Sequence, residues 1–291
     1  MAKSAIITGG GSGIGFSLAS ALSNQGCSVV LVGRDQSRLQ SAVSRISARG
    51  GKAIFMVADV TDREAVQAVV DRTLEEFGQL DYFFNNAGLG MAGEMEEFET
   101  AHWDRIIDIN MRGVINGIAA AYPVMIKQGS GHIVNTASLA GLCPTPLMVP
   151  YATTKHAVVG LSLALRSEAA VRGVRVSVVC PGFVDTPMLD SKGPEDLRPS
   201  RLANAIDFRE EASRAKPPYP PDKLAQAVLA GLAKNKAVII APRGLHALWV
   251  LYRLVPGIHD RLSPKTVARI RAQAASQPTP GAPVPAMDSA S

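Results

Sequence analysis

Tyr151 and Lys155 place a phenol and an amine four positions apart in the chain. On a helix, this spacing puts both side chains on one face. A phenol with a pKa of about 10 is a poor proton donor at neutral pH unless its anion is stabilised, and a neighbouring ammonium favours that anion. Ser138 ends the preceding β-branched run, where its hydroxyl can donate to a substrate oxygen as charge develops. The three residues predict acid–base chemistry at an oxygen atom.

A glycine-rich turn at Thr8–Gly15 follows the first short apolar run of the chain. Glycines let a backbone turn sharply and approach a pyrophosphate, which then rests on the free N–H groups of a helix N-terminus. Because a predicted strand precedes this turn and a predicted helix follows it, it indicates a dinucleotide site. The residues assigned to the cofactor here are Gly9, Gly11, Ser12, Gly13, Ile14 and Gly15.

The end of the second predicted strand bears on which dinucleotide is bound. An NAD enzyme places a carboxylate there to bind the ribose hydroxyls, whereas this chain has Gly33 followed by Arg34. A guanidinium can hold a 2′-phosphate by charge-assisted hydrogen bonds, to which Ser12 could add a donor. Asp35 is better explained as the N-cap of the next helix. NADP(H) is therefore favoured, and NAD(H) is the alternative.

Short β-branched runs alternate with segments of helical period from residue 3 to about residue 180. Nearly continuous apolar strands such as Val29–Val32 indicate burial on both faces, as in a parallel sheet covered by helices. This alternation predicts an α/β, doubly wound (Rossmann) sheet with helices on both faces and ligands outside the carboxyl ends of its strands. The seven predicted strands are Lys3–Thr8, Ser28–Gly33, Lys52–Ala58, Leu80–Asn85, His132–Ser138, Val174–Cys180 and Ala237–Ala241.

Two further strand ends are candidates for the adenosine half of the cofactor. Asp59, followed by Val60, could accept a hydrogen bond from the adenine amino group. Asn86, Ala87 and Gly88 close the fourth strand, where small residues let the backbone pass close to the adenosine. Either motif by itself could be an ordinary turn.

Taken together, these motifs resemble the short-chain dehydrogenase/reductase family from about Lys3 to Met188. The resemblance implies that Tyr151 is the general acid in reduction and the base in oxidation, and that Ser138 orients the carbonyl. It implies that Lys155 lowers the pKa of the tyrosine and holds the nicotinamide ribose. The motifs that carry it are Thr8–Gly15, Asp59-Val60, Asn85–Gly88, Asn110, Ser138, Tyr151, Lys155 and Pro181-Gly182.

The same resemblance assigns the nicotinamide end and the proton path. Asn110 would anchor a water that relays protons to Lys155. Double-bond reduction is disfavoured, because the enoyl-reductase branch spaces its tyrosine and lysine more widely. The helices bearing Asn110 and Tyr151 would pair subunits in a homodimer or homotetramer. The residues expected to flank the nicotinamide are Pro181, Gly182, Val184 and Thr186.

Apolar residues after the strand ends are the candidates for a substrate pocket. They carry no charge that would clamp a carboxylate or phosphate, which favours a small lipophilic ketone, aldehyde or secondary alcohol, such as a steroid, retinoid, terpenoid or aryl ketone. The alternative is that they fill the core. An NAD-linked alcohol dehydrogenase and a non-catalytic dinucleotide sensor are the competing functions. The pocket candidates are Leu89, Met91, Leu139, Leu142, Met148, Phe183, Met188 and Leu189.

The chain divides into a catalytic domain and a C-terminal extension. Residues 1–242 are predicted to form the dinucleotide-binding domain, with a charge- and proline-rich flap over the pocket at 187–221. An ordinary surface insertion is the alternative for that segment. Residues 243–275 are predicted to form a helical extension, and the Pro/Ala/Ser-rich tail at 276–291 is expected to be disordered.

The extension combines an apolar stripe with basic residues. Such a stripe favours packing on its own domain or on a twin subunit. An interfacial helix on an anionic membrane is the alternative, since six basic residues accompany the single acid Asp260. The stripe is Leu245, Leu248, Trp249, Tyr252 and Val255, and the basic residues are Arg243, Arg253, Arg261, Lys265, Arg269 and Arg271.

Composition excludes several classes of protein. With 47% hydrophobic and 19% charged residues, 291 residues fit one large α/β domain. A net charge of +5 without a basic, aromatic-interleaved tract argues against a nucleic-acid partner. No apolar run approaches the roughly 20 residues that span a bilayer. Three scattered cysteines indicate reduced, buried thiols of a cytoplasmic protein, with no disulfide frame and no metal site.

Overall fold

A seven-stranded parallel sheet forms the centre of the molecule in the computed structural model, which describes residues 2–214 and 216–275. The strand order is β3-β2-β1-β4-β5-β6-β7, so the winding direction reverses between β1 and β4. This confirms the predicted doubly wound sheet and places a ligand crevice at that reversal. The strands are β1 Ser4–Thr8, β2 Ser28–Gly33, β3 Ala53–Val57, β4 Tyr82–Asn85, β5 Gly131–Thr136, β6 Val174–Pro181 and β7 Val238–Ala241.

Helices cover both faces of the sheet. The cores on its two sides are separate, one formed with α1, α2 and α9 and the other with α3, α5 and α6. The helices of the catalytic domain are α1 Gly13–Ser23, α2 Gln36–Ser47, α3 Arg63–Phe77, α4 Thr100–Ile107, α5 Gly113–Gln128, α6 Val149–Ala170, α7 Arg201–Ala205, α8 Phe208–Ser213 and α9 Pro221–Ala233. The C-terminal extension contributes α10 Gly244–Leu254 and α11 Gly257–Ala275.

Local sequence signals account for most element boundaries, and the largest differences from the predicted strands are two residues, at the start of β4 and the end of β5. Asp35 caps α2 by accepting from the Arg38 amide at 3.0 Å, as expected. β4 begins at Tyr82 instead of Leu80, because the Leu80 amide donates to the Gln128 side chain and not to a neighbouring strand. β5 ends at Thr136, two residues before Ser138.

A chain of buried side-chain hydrogen bonds joins the central strands to α6. Asn85 Nδ2 donates to Asn135 Oδ1 at 2.8 Å, and Asn135 Nδ2 donates to Ser162 Oγ at 2.9 Å. All three side chains are buried, so each bond offsets a desolvation cost that an apolar core would not incur. These bonds fix α6 relative to the strand ends at which the predicted chemistry lies.

The segment predicted as a flap, 187–221, contains several short helices. It contains a 3₁₀ helix at Pro187–Asp190, followed by α7 and α8, and α9 begins at its last residue. Its base is closed by a bridge between Val184 and Tyr219, in which the Asp185 amide donates to the Tyr219 carbonyl at 3.0 Å. The two ends of the segment therefore meet at one point, just after the end of β6.

The two helices of the extension differ in how they pack. α11 lies against α7, where Val267 and Ile270 contact a cluster of Leu147, Leu202 and Ile206. α10 follows β7 and has no buried residue. Within 2–214 and 216–275, no helix is long and apolar enough to cross a membrane. The tail at 276–291 lies outside the described residues.

Candidate active site

Tyr151 and Lys155 lie in the first two turns of α6, on the same face of the helix. The Lys155 side chain is 4% exposed, and its Nζ lies 5.6 Å from the centre of the Tyr151 ring. The ammonium donates to the Thr136 carbonyl, at the end of β5, over 3.0 Å. A Cβ at Gly88, after β4, would lie 3.4 Å from the same Nζ. The pair therefore stands at the carboxyl ends of the two central strands.

Ser138 completes this group from the turn that follows β5. It is the N-cap of a short 3₁₀ helix at Leu139–Gly141, and its Oγ accepts from the Ala140 amide at 3.1 Å. Its side chain also hydrogen-bonds the side chain of Tyr151. The structure thus brings together all three residues that the sequence selected for acid–base chemistry.

Burial opposes the lowering of the Tyr151 pKa that is expected from Lys155, and that effect of Lys155 remains a prediction. Burial raises the pKa of Tyr151 above its ordinary 10.0, and the hydrogen bond from Ser138 opposes that rise only in part. Burial likewise lowers the pKa of Lys155 from 10.5 to about 8. Both shifts have one cause, since a low-dielectric site disfavours the charged form of each group. At neutral pH the phenol keeps its proton and the amine keeps its charge, which suits donation of a proton to an oxyanion.

Asn110 lies in a single π-helical turn, Asp108–Arg112, between α4 and α5. Its buried side chain accepts from the Leu89 amide at 2.9 Å and donates to the Leu89 carbonyl at 3.0 Å and to Thr154 Oγ1 at 3.2 Å. The side-chain amide therefore joins the loop after β4 to α6. Both N–H groups of the side-chain amide are engaged, so the amide could bind the water expected of Asn110 only as an acceptor, and the relay remains a prediction. Such π turns are frequent at functional sites.

The glycine-rich turn has the shape that a pyrophosphate requires. A Cβ on Gly15 would lie 2.2 Å from the Gly9 carbonyl oxygen, so no larger residue fits at the start of α1. Gly13 has a φ of +50°, and a Cβ on it would lie 3.0 Å from Thr186 Cγ2, so Thr186 packs directly on this glycine. Ser12, the N-cap of α1, makes no capping hydrogen bond with its side chain. The first amides of α1 are thus open to an anionic ligand, as a dinucleotide needs.

Thr8, the first residue of the glycine-rich motif, has a positioning role that the sequence reasoning did not assign. Its Oγ1 accepts from the backbone amides of Asn86 at 2.9 Å and Ala87 at 3.0 Å, and its carbonyl accepts from Asn86 Nδ2 at 3.0 Å. One buried hydroxyl therefore holds the segment after β4 against the glycine-rich turn. Its position directly before that turn was the available signal.

The adenosine end presents two arginines. Arg34 is exposed and makes no hydrogen bond or ion pair with any described residue, whereas Asp35 is engaged in capping α2 and pairs with Arg38 Nε at 3.0 Å. Arg38, which sequence reasoning missed, packs beside Gly11, whose Cβ would lie 3.3 Å from the Arg38 Cβ. Arg38 lies in the first turn of α2, close to the glycine-rich turn. Its position so soon after β2 was the signal that the sequence offered.

Asp59 and Val60 have local structural roles. Asp59 Oδ1 accepts from the Thr61 amide at 2.9 Å and from Thr61 Oγ1 at 2.8 Å, which stabilises the turn before α3. The Val60 side chain packs against Gly113, and its carbonyl accepts from Asn116 Nδ2 at 2.9 Å. Contact of either residue with adenine remains a prediction.

The residues predicted to flank the nicotinamide lie at and after the end of β6. Pro181 is the last residue of β6, and the Gly182 amide donates to the Ala241 carbonyl at 2.9 Å. Thr186 starts the 3₁₀ helix and meets Gly13 across the crevice. Val184 is buried at the base of the flap. The residues predicted to flank the nicotinamide therefore lie next to the glycine-rich turn.

The predicted pocket residues do not all share one surface. Phe183 and Met188 are 54% and 43% exposed beside the site, and Met188 lies next to Gly90. Leu142 packs in the core behind β5, and Met91 is buried. The partly buried residues between these extremes are Leu89, Leu139, Met148 and Leu189. Membership of a substrate pocket remains a prediction for all eight.

The flap also reaches the adenosine side of the crevice. A cavity of about 110 Å³ lies between Arg34, Leu89 and the flap segment 194–196. Arg105 of α4 borders it and pairs with Asp196 at 3.2 Å. The flap therefore borders both ends of the crevice, although the sequence assigned it to the substrate alone.

Comparisons with known proteins show the family in which this arrangement of residues occurs. Residues 3–197 match the sequence model of the short chain dehydrogenase family. The chain belongs to the short-chain dehydrogenase/reductase family. It is 40% identical over 210 residues to an uncharacterized oxidoreductase of Staphylococcus saprophyticus, a match that covers 71% of this chain and 90% of that protein. It is also 34% identical over 254 residues to the probable oxidoreductase EphD of Mycobacterium tuberculosis, covering 86% of this chain but only 43% of EphD.

Solved structures of the family are similar over most of the chain. A short-chain dehydrogenase/reductase from Burkholderia phymatum in complex with NAD has a TM-score of 0.81 at 32% identity, covering 89% of this chain and 95% of that one. Actinorhodin polyketide ketoreductase with NADPH has a TM-score of 0.74 at 28% identity, covering 84% and 97%. The protein is thus an oxidoreductase of a family that binds nicotinamide dinucleotides.

Proposed function

We propose that the protein is an NADP(H)-dependent reductase of a carbonyl group on a small lipophilic substrate, and that it catalyses the reverse oxidation of a secondary alcohol. The observation that carries the proposal is the arrangement of Ser138, Tyr151 and Lys155 around one point at the ends of β4 and β5. Family membership supplies the oxidoreductase class.

Each of the three residues has a distinct part in the proton transfer. Tyr151 gives its phenolic proton to the substrate oxygen in reduction and accepts one in oxidation. The Ser138 hydroxyl orients that oxygen and stabilises charge on it. Lys155 stabilises the phenolate that remains, since an ammonium within a few ångströms favours the anion. When bound, the nicotinamide supplies the hydride to the carbonyl carbon.

The preference for NADP(H) is supported by charge at the end of β2. Arg34 is free to bind a 2′-phosphate, and no carboxylate occupies the position after Gly33 at which a ribose would bind. We expect Arg34→Ala to raise the Kd for NADPH about tenfold or more and to leave that for NADH unchanged, because a hydrogen bond to a charged group contributes ~1.5–3 kcal/mol. Arg49→Ala, an exposed arginine after α2, is the matched control.

The strongest competing function is an NAD-linked alcohol dehydrogenase of the same fold. The Burkholderia neighbour was solved with NAD, which favours that alternative. Titration of the purified protein with both cofactors separates the two. Tighter binding of NADH than of NADPH, unaffected by Arg34→Ala, would replace the proposal. A non-catalytic sensor has less support, because binding alone needs no proton donor.

The lipophilic substrate class is supported by the apolar, exposed Phe183 and Met188 beside the site. A panel of aryl, terpenoid and steroid ketones, charged sugars and acyl-carrier thioesters, assayed with NADPH, tests it. We expect turnover of neutral lipophilic ketones. Turnover confined to the sugars or thioesters would contradict the substrate class while leaving the reaction class intact.

The proposal also covers the oligomeric state and the cellular location of the protein. A homodimer or homotetramer through α5 and α6 is supported by exposed apolar residues on those helices, Ile115, Val149 and Leu163. Three buried free thiols support a cytoplasmic location. Light scattering of the purified protein measures the number of subunits, and a monomer at micromolar concentration would contradict the pairing.

A further inference from the structure

Helix α10 exposes an unusual number of large apolar side chains. Leu251, Leu254 and Val255 are 41%, 76% and 50% exposed, and Leu262 in the second turn of α11 is 51% exposed. No residue of α10 is buried. Isolated surface leucines are ordinary, but several within twelve residues of chain form an apolar surface that calls for a partner.

The basic residues of the extension fall into two groups. Arg269 pairs with Glu211 and Arg271 with Glu94, so these two cations bind the protein's own domain. Among the described residues, the cations nearer the apolar surface make no ion pair, and Asp260 is the one acid in 243–275. These unpaired cations are Arg243, Arg253, Arg261 and Lys265.

The apolar residues and the unpaired cations alternate along one stretch of chain. Arg253 follows Leu251 and precedes Leu254, and its guanidinium lies over the Trp249 ring, 5.9 Å from the ring centre. Arg261 and Lys265 are one helical turn apart and flank Leu262. Long basic side chains beside leucines and a tryptophan can keep their charges in the headgroup layer while their stems lie in apolar surroundings.

We propose that α10 and the start of α11, residues 244–265, bind the surface of an anionic lipid bilayer. Leu251, Leu254 and Val255 would enter the boundary between headgroups and acyl chains, and the unpaired cations would contact lipid phosphates. A second copy of the chain is a weaker fit, because a symmetric contact would bring identical unpaired cations together without acids to meet them.

The location of this surface relates it to the active site. Leu245, at the start of α10, packs on Gly182, so α10 begins beside the residues that follow β6. Phe183, the residue that follows Gly182, has an exposed side chain. The bilayer surface would therefore lie beside the residues predicted to flank the nicotinamide. Binding to lipid does not depend on the proposed reaction, so it can fail or succeed independently of it.

Co-sedimentation of the full chain with vesicles tests the proposal. We expect binding to phosphatidylcholine vesicles that contain about a third phosphatidylglycerol, much weaker binding to phosphatidylcholine alone, and loss of binding as salt is raised. Leu251→Glu with Leu254→Glu should reduce binding at least about tenfold, since the carboxylates would oppose both insertion and the anionic headgroups. Val171→Glu changes a residue that is 85% exposed between α6 and the start of β6, at the end of that strand opposite to Gly182; it is the matched control and should bind as the parent does.

A second set of variants tests the charges. Arg253→Gln, Arg261→Gln and Lys265→Gln should each weaken binding to the anionic vesicles about fivefold, because a basic residue near such a surface contributes ~1 kcal/mol. Lys127→Gln, exposed at the end of α5, should not. Unchanged circular dichroism and NADPH affinity would show that these variants remain folded.

Three outcomes would overturn the proposal. The first is that the parent chain fails to sediment with anionic vesicles. The second is equal binding to both vesicle types and by every variant. The third is that Leu251→Glu with Leu254→Glu dissociates an oligomer, measured by light scattering, while vesicle binding persists, since this would assign the surface to a second copy of the chain.

Discussion

The cofactor half and the substrate half of the crevice are held by different forces. In the cofactor half, buried hydrogen bonds fix the backbone, as between Thr8 and the amides after β4 or between Asn85 and Asn135. In the substrate half, ion pairs at the surface join segments far apart in sequence. Arg209 holds the base of the flap through Asp185 and Asp190, with its Nε 2.7 Å from Asp190 Oδ1.

The C-terminal helix extends this second kind of support. Arg271 makes two hydrogen bonds of 2.7 Å to Glu94, in the loop after β4, and Arg269 pairs with Glu211 in α8 of the flap. α11 therefore ties together two segments that border the predicted pocket. Buried neutral hydrogen bonds resist salt, whereas ion pairs with a solvent-exposed arginine, such as these two, are weakened by it. From this comparison we predict that the cofactor half is fixed and that the substrate half adjusts.

Lys155 lies where the halves meet, and its substitution should have the largest effect among the predictions that test this comparison. We expect Lys155→Met to lower kcat/KM for reduction by roughly 10²-fold or more, because the phenolate loses its stabilising cation. In the parent enzyme, the lysine pKa of about 8 means that the ammonium is present below that pH and lost above it. Reduction should therefore decline above about pH 8, as measured by a pH–rate profile.

The same profile supplies the controls. Lys155→Met should lack the decline near pH 8, whereas Lys127→Met, an exposed lysine of α5, should retain the parent profile. A decline that persists unchanged in Lys155→Met would assign the titration to another group.

Gly15→Ala tests the rigidity of the cofactor half. The added methyl would lie 2.2 Å from the Gly9 carbonyl, so the backbone of the glycine-rich turn must shift. Overpacking of this kind costs about 1–3 kcal/mol, which corresponds to a ~5- to 150-fold rise in the Kd for NADPH if the whole cost falls on cofactor binding. Fluorescence titration measures it. Gly160→Ala, exposed in α6 with open space around its Cα, should leave the Kd unchanged and raise stability slightly. An unaltered Kd in Gly15→Ala would show that the turn is adaptable.

Arg271→Gln tests the substrate half and should act on substrate alone. It removes the two bonds to Glu94, a carboxylate that is mostly buried and whose pKa this arginine lowers. We expect KM for the carbonyl substrate to rise about fivefold, equivalent to ~1 kcal/mol, with kcat and the Kd for NADPH nearly constant. Arg72→Gln, which breaks an exposed pair on α3, is the control. An equal change in NADPH affinity would remove the distinction between the halves.

The smallest expected effect is the change in stability that follows protonation of His132, and it does not involve catalysis. It is buried in β5 with Nε2 2.9 Å from Ser177 Oγ, and burial lowers its pKa from 6.5 to about 4. Because the unfolded chain binds this proton more readily, the histidine's contribution is complete above pH 6.5 and is lost as the pH falls toward 4. Between pH 6.5 and 5.5 the free energy of unfolding should fall by about 1 kcal/mol from this group.

Urea unfolding at the two pH values measures this loss. His132→Phe should show a smaller fall, because the variant has no imidazole to protonate and the Ser177 hydroxyl keeps its 2.6 Å bond to the Lys236 carbonyl. An identical fall in both proteins would place the acid sensitivity elsewhere, for example in the carboxylates paired with Arg269 and Arg271.

The cofactor half could be predicted from the sequence because its signals are local. The run from Thr8 to Gly15, the strand ends and the spacing of Tyr151 and Lys155 each lie within a few residues. The substrate half could not, because its structure depends on contacts such as Arg271 with Glu94, which are 177 positions apart. The pKa of Tyr151 escaped prediction for a related reason, since its rise reflects burial by the surrounding fold.

Tyr151→Phe, measured for both cofactor binding and turnover, tests the central claim most directly. The substitution removes one hydroxyl and keeps the ring. The account predicts a kcat/KM lower by roughly 10³-fold, within the range for a lost general acid, and a Kd for NADPH within about twofold of the parent value. Turnover within about tenfold of the parent enzyme would contradict it, because the proton would then come from a group other than this phenol.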